Sequence, residues 1–170
     1  MKWSVRLLDA LRWVARISAY LGALVLLACV AMTVVNVIGR KFLGFAILGS
    51  IELTELAMVW TAFLTIPISF AYWNHIAIDF LVTGLNKRAQ DILLGVSVIM
   101  AALVMAAYAW WGLQTAAKQV GAGDVTLAIS IPIVWYWIPL IYGTVLSCLC
   151  AIVMAINLAL GSYKQEKIAV

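Results

Sequence analysis

Charged side chains are scarce in this sequence of 170 residues, making up 11% of it, whereas apolar residues make up 66%. Soluble globular domains usually have about 25% charged residues, so the composition excludes an ordinary soluble domain. Four runs hold no charged residue at all: 17–39, 56–74, 92–117 and 125–163. Each can cross a hydrocarbon core of about 30 Å, which takes about 20 apolar residues in a helix. The sequence therefore predicts an all-α integral membrane protein with four transmembrane helices.

Residues that carry chemistry are equally few. The one histidine, His75, cannot supply both axial ligands of a bis-histidine haem, and no cluster of His, Cys or carboxylate has the spacing of metal ligands. We therefore expect no catalytic residue, no cofactor and no metal site, and we do not expect an enzyme. Cys29, Cys148 and Cys150 fall inside predicted spans and are expected to be free thiols. His75 and Asp79 are expected to form a structural pair, with a pH-sensitive or metal-binding pair as the alternative.

Apolar periodicity and end signals give the bounds of the predicted segments. The chain is expected to be a single membrane domain over 1–170, with transmembrane spans at 17–38, 53–74, 92–117 and 133–161. An amphipathic helix on the membrane surface is predicted at 1–16, and a short interfacial helix at 76–86, because each has apolar residues along one face. For 1–16, a charged lead-in to the first span is the alternative.

Basic residues are distributed unevenly among the predicted loops and tails. Eight fall on the side that holds both termini: Lys2, Arg6, Arg12, Arg16, Lys87, Arg88, Lys164 and Lys167. Three fall on the other side: Arg40, Lys41 and Lys118. Cytoplasmic loops carry the excess of Lys and Arg, so both termini are expected in the cytoplasm. The placement of the positive charge thus fits a membrane orientation, and no nucleic-acid partner is expected.

Polar residues flank the loop between the first two spans. Asn36 is a candidate helix-to-helix contact, because polar residues within apolar helices usually face protein. Arg40 is a candidate partner for Glu52 or Glu55 across the hairpin. The alternative is that the two glutamates simply stabilise the first turn of the second helix. Further along that helix, Pro67 lacks an N–H, so a backbone carbonyl near Phe63 loses its usual partner.

The last span has a small residue at every fourth position: Gly143, Ser147, Ala151, Ala155 and Ala159. Small residues at this spacing allow close helix packing, so the row is a candidate interface. No charged residue falls near the middle of any predicted span, where an ion or proton pathway normally needs one. These features indicate a subunit that supports another protein and transports nothing by itself.

Several motifs, taken in order, resemble one family. They are N-x-x-x-R at Asn36 and Arg40, the glutamate before the second span, H-I-A-I-D at 75–79, and I-P-x-x-W-Y-W-I-P-L-x-Y-G at 131–143. With the four spans, they make nearly the whole chain similar to the small, Q-type (DctQ-like) membrane subunit of tripartite ATP-independent periplasmic (TRAP) transporters. One departure is T-I-P-I-S at 65–69, where the family more often has a run of small residues.

The resemblance implies sodium-driven symport of an organic acid, such as sialic acid or a dicarboxylate, across the bacterial inner membrane. A large M-type subunit would hold the substrate and sodium sites, and a periplasmic substrate-binding protein would deliver the substrate. The small subunit would enlarge the stationary scaffold, in contact with membrane lipids. Charged residues of the outer loops are expected to help dock the binding protein: Arg40, Lys41, Lys118 and Asp124. The alternatives are an anchor subunit of a redox complex and a self-assembling four-helix exporter.

Overall fold

The computed structural model describes residues 2–72 and 87–159, which form four long α-helices. These are α1 (Lys2–Ile38), α2 (Ser50–Tyr72), α3 (Lys87–Ala122) and α4 (Val134–Ala159). A π-helical turn, Gly39–Leu43, follows α1 directly. All four helices are long and apolar enough to cross a membrane. The predicted all-α fold with four transmembrane helices is therefore confirmed.

The first helix is continuous from its start to its end. Its 37 residues correspond to about 55 Å at about 1.5 Å per residue, so it is much longer than a hydrocarbon core of about 30 Å. Residues 2–16 of the predicted surface segment and the predicted span 17–38 thus belong to one helix without a break. The predicted interfacial helix 76–86, together with His75 and Asp79, lies outside the described residues.

Helix α4 is the centre of the bundle. It packs against α1, α2 and α3, whereas α3 packs chiefly against α4, and α1 packs along α2. The buried apolar core accordingly draws on all four helices: Ala15, Phe70, Ala71, Tyr72, Val98, Leu146, Cys150, Ala151 and Met154. Because α3 has one main neighbour, most of its surface is left uncovered by the described chain.

Helices α2 and α4 approach each other closely at Gly143. A Cβ at this position would overlap the backbone carbonyl oxygen of Phe63 and lie 2.9 Å from the Phe63 Cβ. Phe63 is four residues before Pro67, which has no N–H to donate to that carbonyl. The helix therefore has a carbonyl without its usual donor at the point where the opposite helix has no side chain. Ser147 and Ala151 of the predicted row are fully buried next in line, and Ala155 packs at the edge of the core.

Side-chain hydrogen bonds add links between the helices. The hydroxyls of Ser18 in α1 and Tyr142 in α4 are 2.5 Å apart, and Thr61 in α2 donates to the carbonyl of Gly22 at 3.3 Å. The indole N–H of Trp137 donates to Gln119 Oε1 at 2.8 Å, joining α4 to α3. Each bond uses a polar group that lipid could not satisfy.

Candidate functional site

Two loops lie side by side at one end of the bundle and form its loop surface, which comprises residues 39–49 and 123–133. Ile129 of the second loop packs against Gly49 of the first, where a Cβ would lie 2.8 Å from Ile129 Cδ1. Gly49 also has a φ of 69°, a conformation that favours glycine. The two loops are therefore in contact, and the residues on them belong to one continuous surface.

Asn36 fixes the first loop. Its side-chain oxygen Oδ1 accepts a hydrogen bond from the backbone N–H of Ile47 at 2.9 Å, and the N–H of Phe45 donates to the carbonyl of Gly39 at 3.3 Å. Asn36 thus binds the loop backbone of its own hairpin. A contact of Asn36 with another helix stays a prediction.

Glu52, in the first turn of α2, holds the second loop; we call this arrangement the Glu52 clasp. Its carboxylate accepts hydrogen bonds from the Thr126 hydroxyl and the Ala128 N–H, both at 2.6 Å, and from the Ile129 N–H at 3.1 Å. Its backbone carbonyl accepts a further bond from the Tyr136 hydroxyl at 2.9 Å. Bonds to a carboxylate are stronger than neutral ones, so one side chain fixes a loop that lies more than 70 residues away in sequence.

The second loop is also bonded internally. The N–H of Thr126 donates to the Ile131 carbonyl at 2.9 Å, and the N–H of Ile131 donates to the Thr126 hydroxyl at 3.0 Å. The N–H of Ile133 donates to the Asp124 carbonyl at 3.0 Å. Leu127 is fully exposed at the tip. The Glu52 clasp and these bonds give the loop a defined shape, although little of it is buried.

The predicted docking residues lie on or beside the loop surface. Arg40 and Lys41 are exposed on the π-helical turn, Lys118 is exposed near the end of α3, and Asp124 is exposed in the second loop. Among the side chains that the structure describes, Arg12 pairs with Asp9 at 3.7 Å, and no ion pair involves Arg40. Arg40 is therefore paired with neither Glu52 nor Glu55, contrary to the hypothesis of a pair across the hairpin.

Sequence reasoning missed a second contact, which lies between α1 and the end of α2. The Nε atom of Arg12 donates to the carbonyl of Ala71 at 3.2 Å, and its guanidinium lies 5.3 Å from the centroid of the Tyr72 ring. Arg16 donates to the Tyr72 hydroxyl. A cation beside the last carbonyls of a helix also stabilises its dipole. The N-terminal part of α1 thus holds the point at which the chain leaves α2.

The buried polar side chains of the described helices are neutral. In the part of the chain that the structure describes, no group of three or more His, Cys, Asp or Glu side chains could hold a metal ion. Among the described residues, the buried polar side chains are three hydroxyls and one amide: Ser18, Thr144, Ser147 and Asn157. Thr144 donates to the carbonyl of Leu140 at 2.8 Å, and Asn157 donates to that of Val153 at 2.9 Å.

The family to which this four-helix chain belongs is shown by its similarity to a known family of proteins. Residues 29–161 match the family model described as tripartite ATP-independent periplasmic transporters, DctQ component. The chain belongs to the DctQ family. The matched residues include all of α2 and α3, the whole loop surface and the Glu52 clasp. A search of curated proteins found no match.

Three general properties of this chain follow from its membership of the DctQ family. It is a component of a transporter, it works with a large membrane subunit, and it works with a periplasmic binding protein. Together with the four apolar helices, the family supports a multi-pass protein of the inner membrane. The resemblance drawn from the sequence motifs is thereby confirmed.

Proposed function

We propose that this chain is the stationary scaffold subunit of a sodium-coupled secondary transporter that imports an organic acid. The large M-type subunit carries substrate and sodium, and this chain supports it in the membrane. One observation carries the proposal: each described helix contains a long stretch without acidic or basic side chains, at 17–38 in α1, 56–72 in α2, 92–117 in α3 and 134–159 in α4. A charge inside the bilayer marks an ion or substrate pathway, so these helices suit support better than transport.

The loop surface has a second role in this proposal, the docking of the periplasmic substrate-binding protein. Arg40, Lys41, Lys118 and Asp124 supply its exposed charges. Charge complementarity steers transient docking more than buried area does. The Glu52 clasp supports this role, because a defined loop loses less conformational freedom when a partner binds.

Charge reversal tests the docking role. The double variant Lys41→Glu, Lys118→Glu, reconstituted with the large subunit, should slow uptake at low concentrations of binding protein. Uptake should recover as that concentration rises, because only the encounter is weakened. The matched control is Lys87→Glu, Arg88→Glu, which reverses two charges at the opposite end of the bundle. Equal uptake by the double variant and wild type at every concentration would contradict the docking role.

A further inference from the structure

Helix α2 has one face that packs against no other helix of the described chain. Its residues follow one another at intervals of four, three, four and seven: Ile51, Glu55, Met58, Ala62 and Ser69, all of them exposed. The other sides of α2 are occupied. Thr61 bonds to α1, and Phe63 meets Gly143 of α4. We call the five residues the outward face of α2.

The outward face of α2 differs in chemistry from the uncovered faces of the other helices. Those faces present large apolar side chains, among them Leu24, Leu27 and Val34 on α1, Ile99, Leu103 and Tyr108 on α3, and Val145, Leu149 and Ile152 on α4. The outward face of α2 has one large aliphatic side chain, Ile51 at its loop end, and otherwise presents a carboxylate, a thioether, a methyl group and a hydroxyl. Helix α2 is also the least apolar of the four candidate spans.

Large apolar side chains pack well against lipid, whereas the small and polar side chains on the outward face of α2 are better matched to a protein helix. Membrane helices pack on one another through small residues and polar side chains, because close approach and hydrogen bonding replace the hydrophobic effect in lipid. Ala62 allows close approach at mid-helix, and Met58 beside it adapts its shape to a neighbour. Glu55 makes no hydrogen bond or ion pair with any residue in the described ranges, so its carboxylate is available to a partner.

We propose that the outward face of α2 is the surface on which one transmembrane helix of the large subunit packs, and that a lysine or arginine of that helix meets Glu55. The inference rests on the proposed scaffold function and adds which face of this chain contacts the large subunit. A carboxylate on this face favours a cationic partner, because pairing satisfies both groups once the packed helix excludes water. The aliphatic faces of α1 and α3 then remain for lipid.

Copurification with the large subunit tests this assignment. Ala62→Leu on the outward face of α2 should lower the amount of large subunit retained per tagged small subunit at least fivefold. The matched control, Ala106→Leu, makes the same change at an exposed position of α3 and should stay within twofold of wild type. Equal retention by Ala62→Leu and wild type, or a loss with Ala106→Leu alone, would overturn the assignment. Failure of the wild-type pair to copurify would instead contradict the scaffold function.

Photo-crosslinking distinguishes the partners without relying on a bulky substitution. A benzophenone amino acid replacing Met58 should crosslink to the large subunit in membranes, whereas the same group replacing Tyr108 of α3 should not. Glu55→Lys should reduce the crosslink from position 58 more than Glu55→Gln does. A lysine would repel the cation of the partner helix, whereas a glutamine would only lose the attraction to it. A crosslink from position 58 to a second copy of this chain, or to neither protein, would overturn the proposal.

Discussion

A single pair of residues, Gly143 and Phe63, explains how α2 and α4 come so close. The sequence contains both halves of this contact, since Pro67 removes the hydrogen-bond donor for a carbonyl near Phe63 and Gly143 begins the row of small residues. The sequence does not show that Gly143 and Phe63 meet, because they are 80 residues apart. Apolar residues surround much of both helices, so hydropathy does not say which sides face each other.

We expect Gly143→Ala to destabilise the bundle, because the added methyl group would occupy the position of the Phe63 carbonyl. Overpacking of this kind costs about 1 to 3 kcal/mol. A thermal unfolding midpoint in detergent measures it. Gly121→Ala is the matched control, since a Cβ there would meet nothing within 4 Å. Equal midpoints for the two variants would show that α2 and α4 are not held this closely together.

Among the elements, the four helices follow from the sequence and the second loop does not. Long charge-free runs predict membrane helices well, because every backbone polar group in lipid must be bonded within its own helix. The Glu52 clasp depends on a carboxylate of one hairpin and the N–H groups of another. The sequence shows only a glutamate in a first turn, for which pairing with Arg40 and a role at the start of the helix are equally good expectations.

We expect Glu52→Gln to loosen the loop without unfolding the helices. A neutral amide is a weaker acceptor than a carboxylate, so the bonds from Thr126, Ala128 and Ile129 weaken. Hydrogen exchange at the amides of residues 128 and 129 should become several-fold faster. Glu55→Gln, which changes the same chemistry one turn away, should leave these amides as slow as in wild type. Unchanged exchange in Glu52→Gln would mean that the internal bonds of the loop suffice.

For the whole molecule, the distribution of charge predicts orientation, and the helices show where the two ends lie. The loop surface has three basic residues on or beside it: Arg40, Lys41 and Lys118. Arg6, Arg12 and Arg16 belong to the opposite end, as do Lys87 and Arg88 at the start of α3. By the preference of cytoplasmic loops for Lys and Arg, the loop surface should face the periplasm.

Cysteine labelling checks this orientation. With the three native cysteines replaced by alanine, Leu48→Cys on the loop surface should react with a membrane-impermeant thiol reagent in intact cells. Arg88→Cys should react only after the membrane is permeabilised. The reverse pattern would place both termini outside and would remove the loop surface from contact with a periplasmic protein.

Uptake into liposomes tests most directly whether this chain is a scaffold rather than a carrier. Vesicles that contain this chain alone, with an inward sodium gradient, should take up no more labelled organic acid than empty vesicles. Vesicles that contain this chain and the large subunit, supplied with the binding protein and its substrate, should show uptake that stops when the sodium gradient is removed. Sodium-driven uptake by this chain alone would contradict the scaffold account, in which the large subunit carries the ion and the substrate.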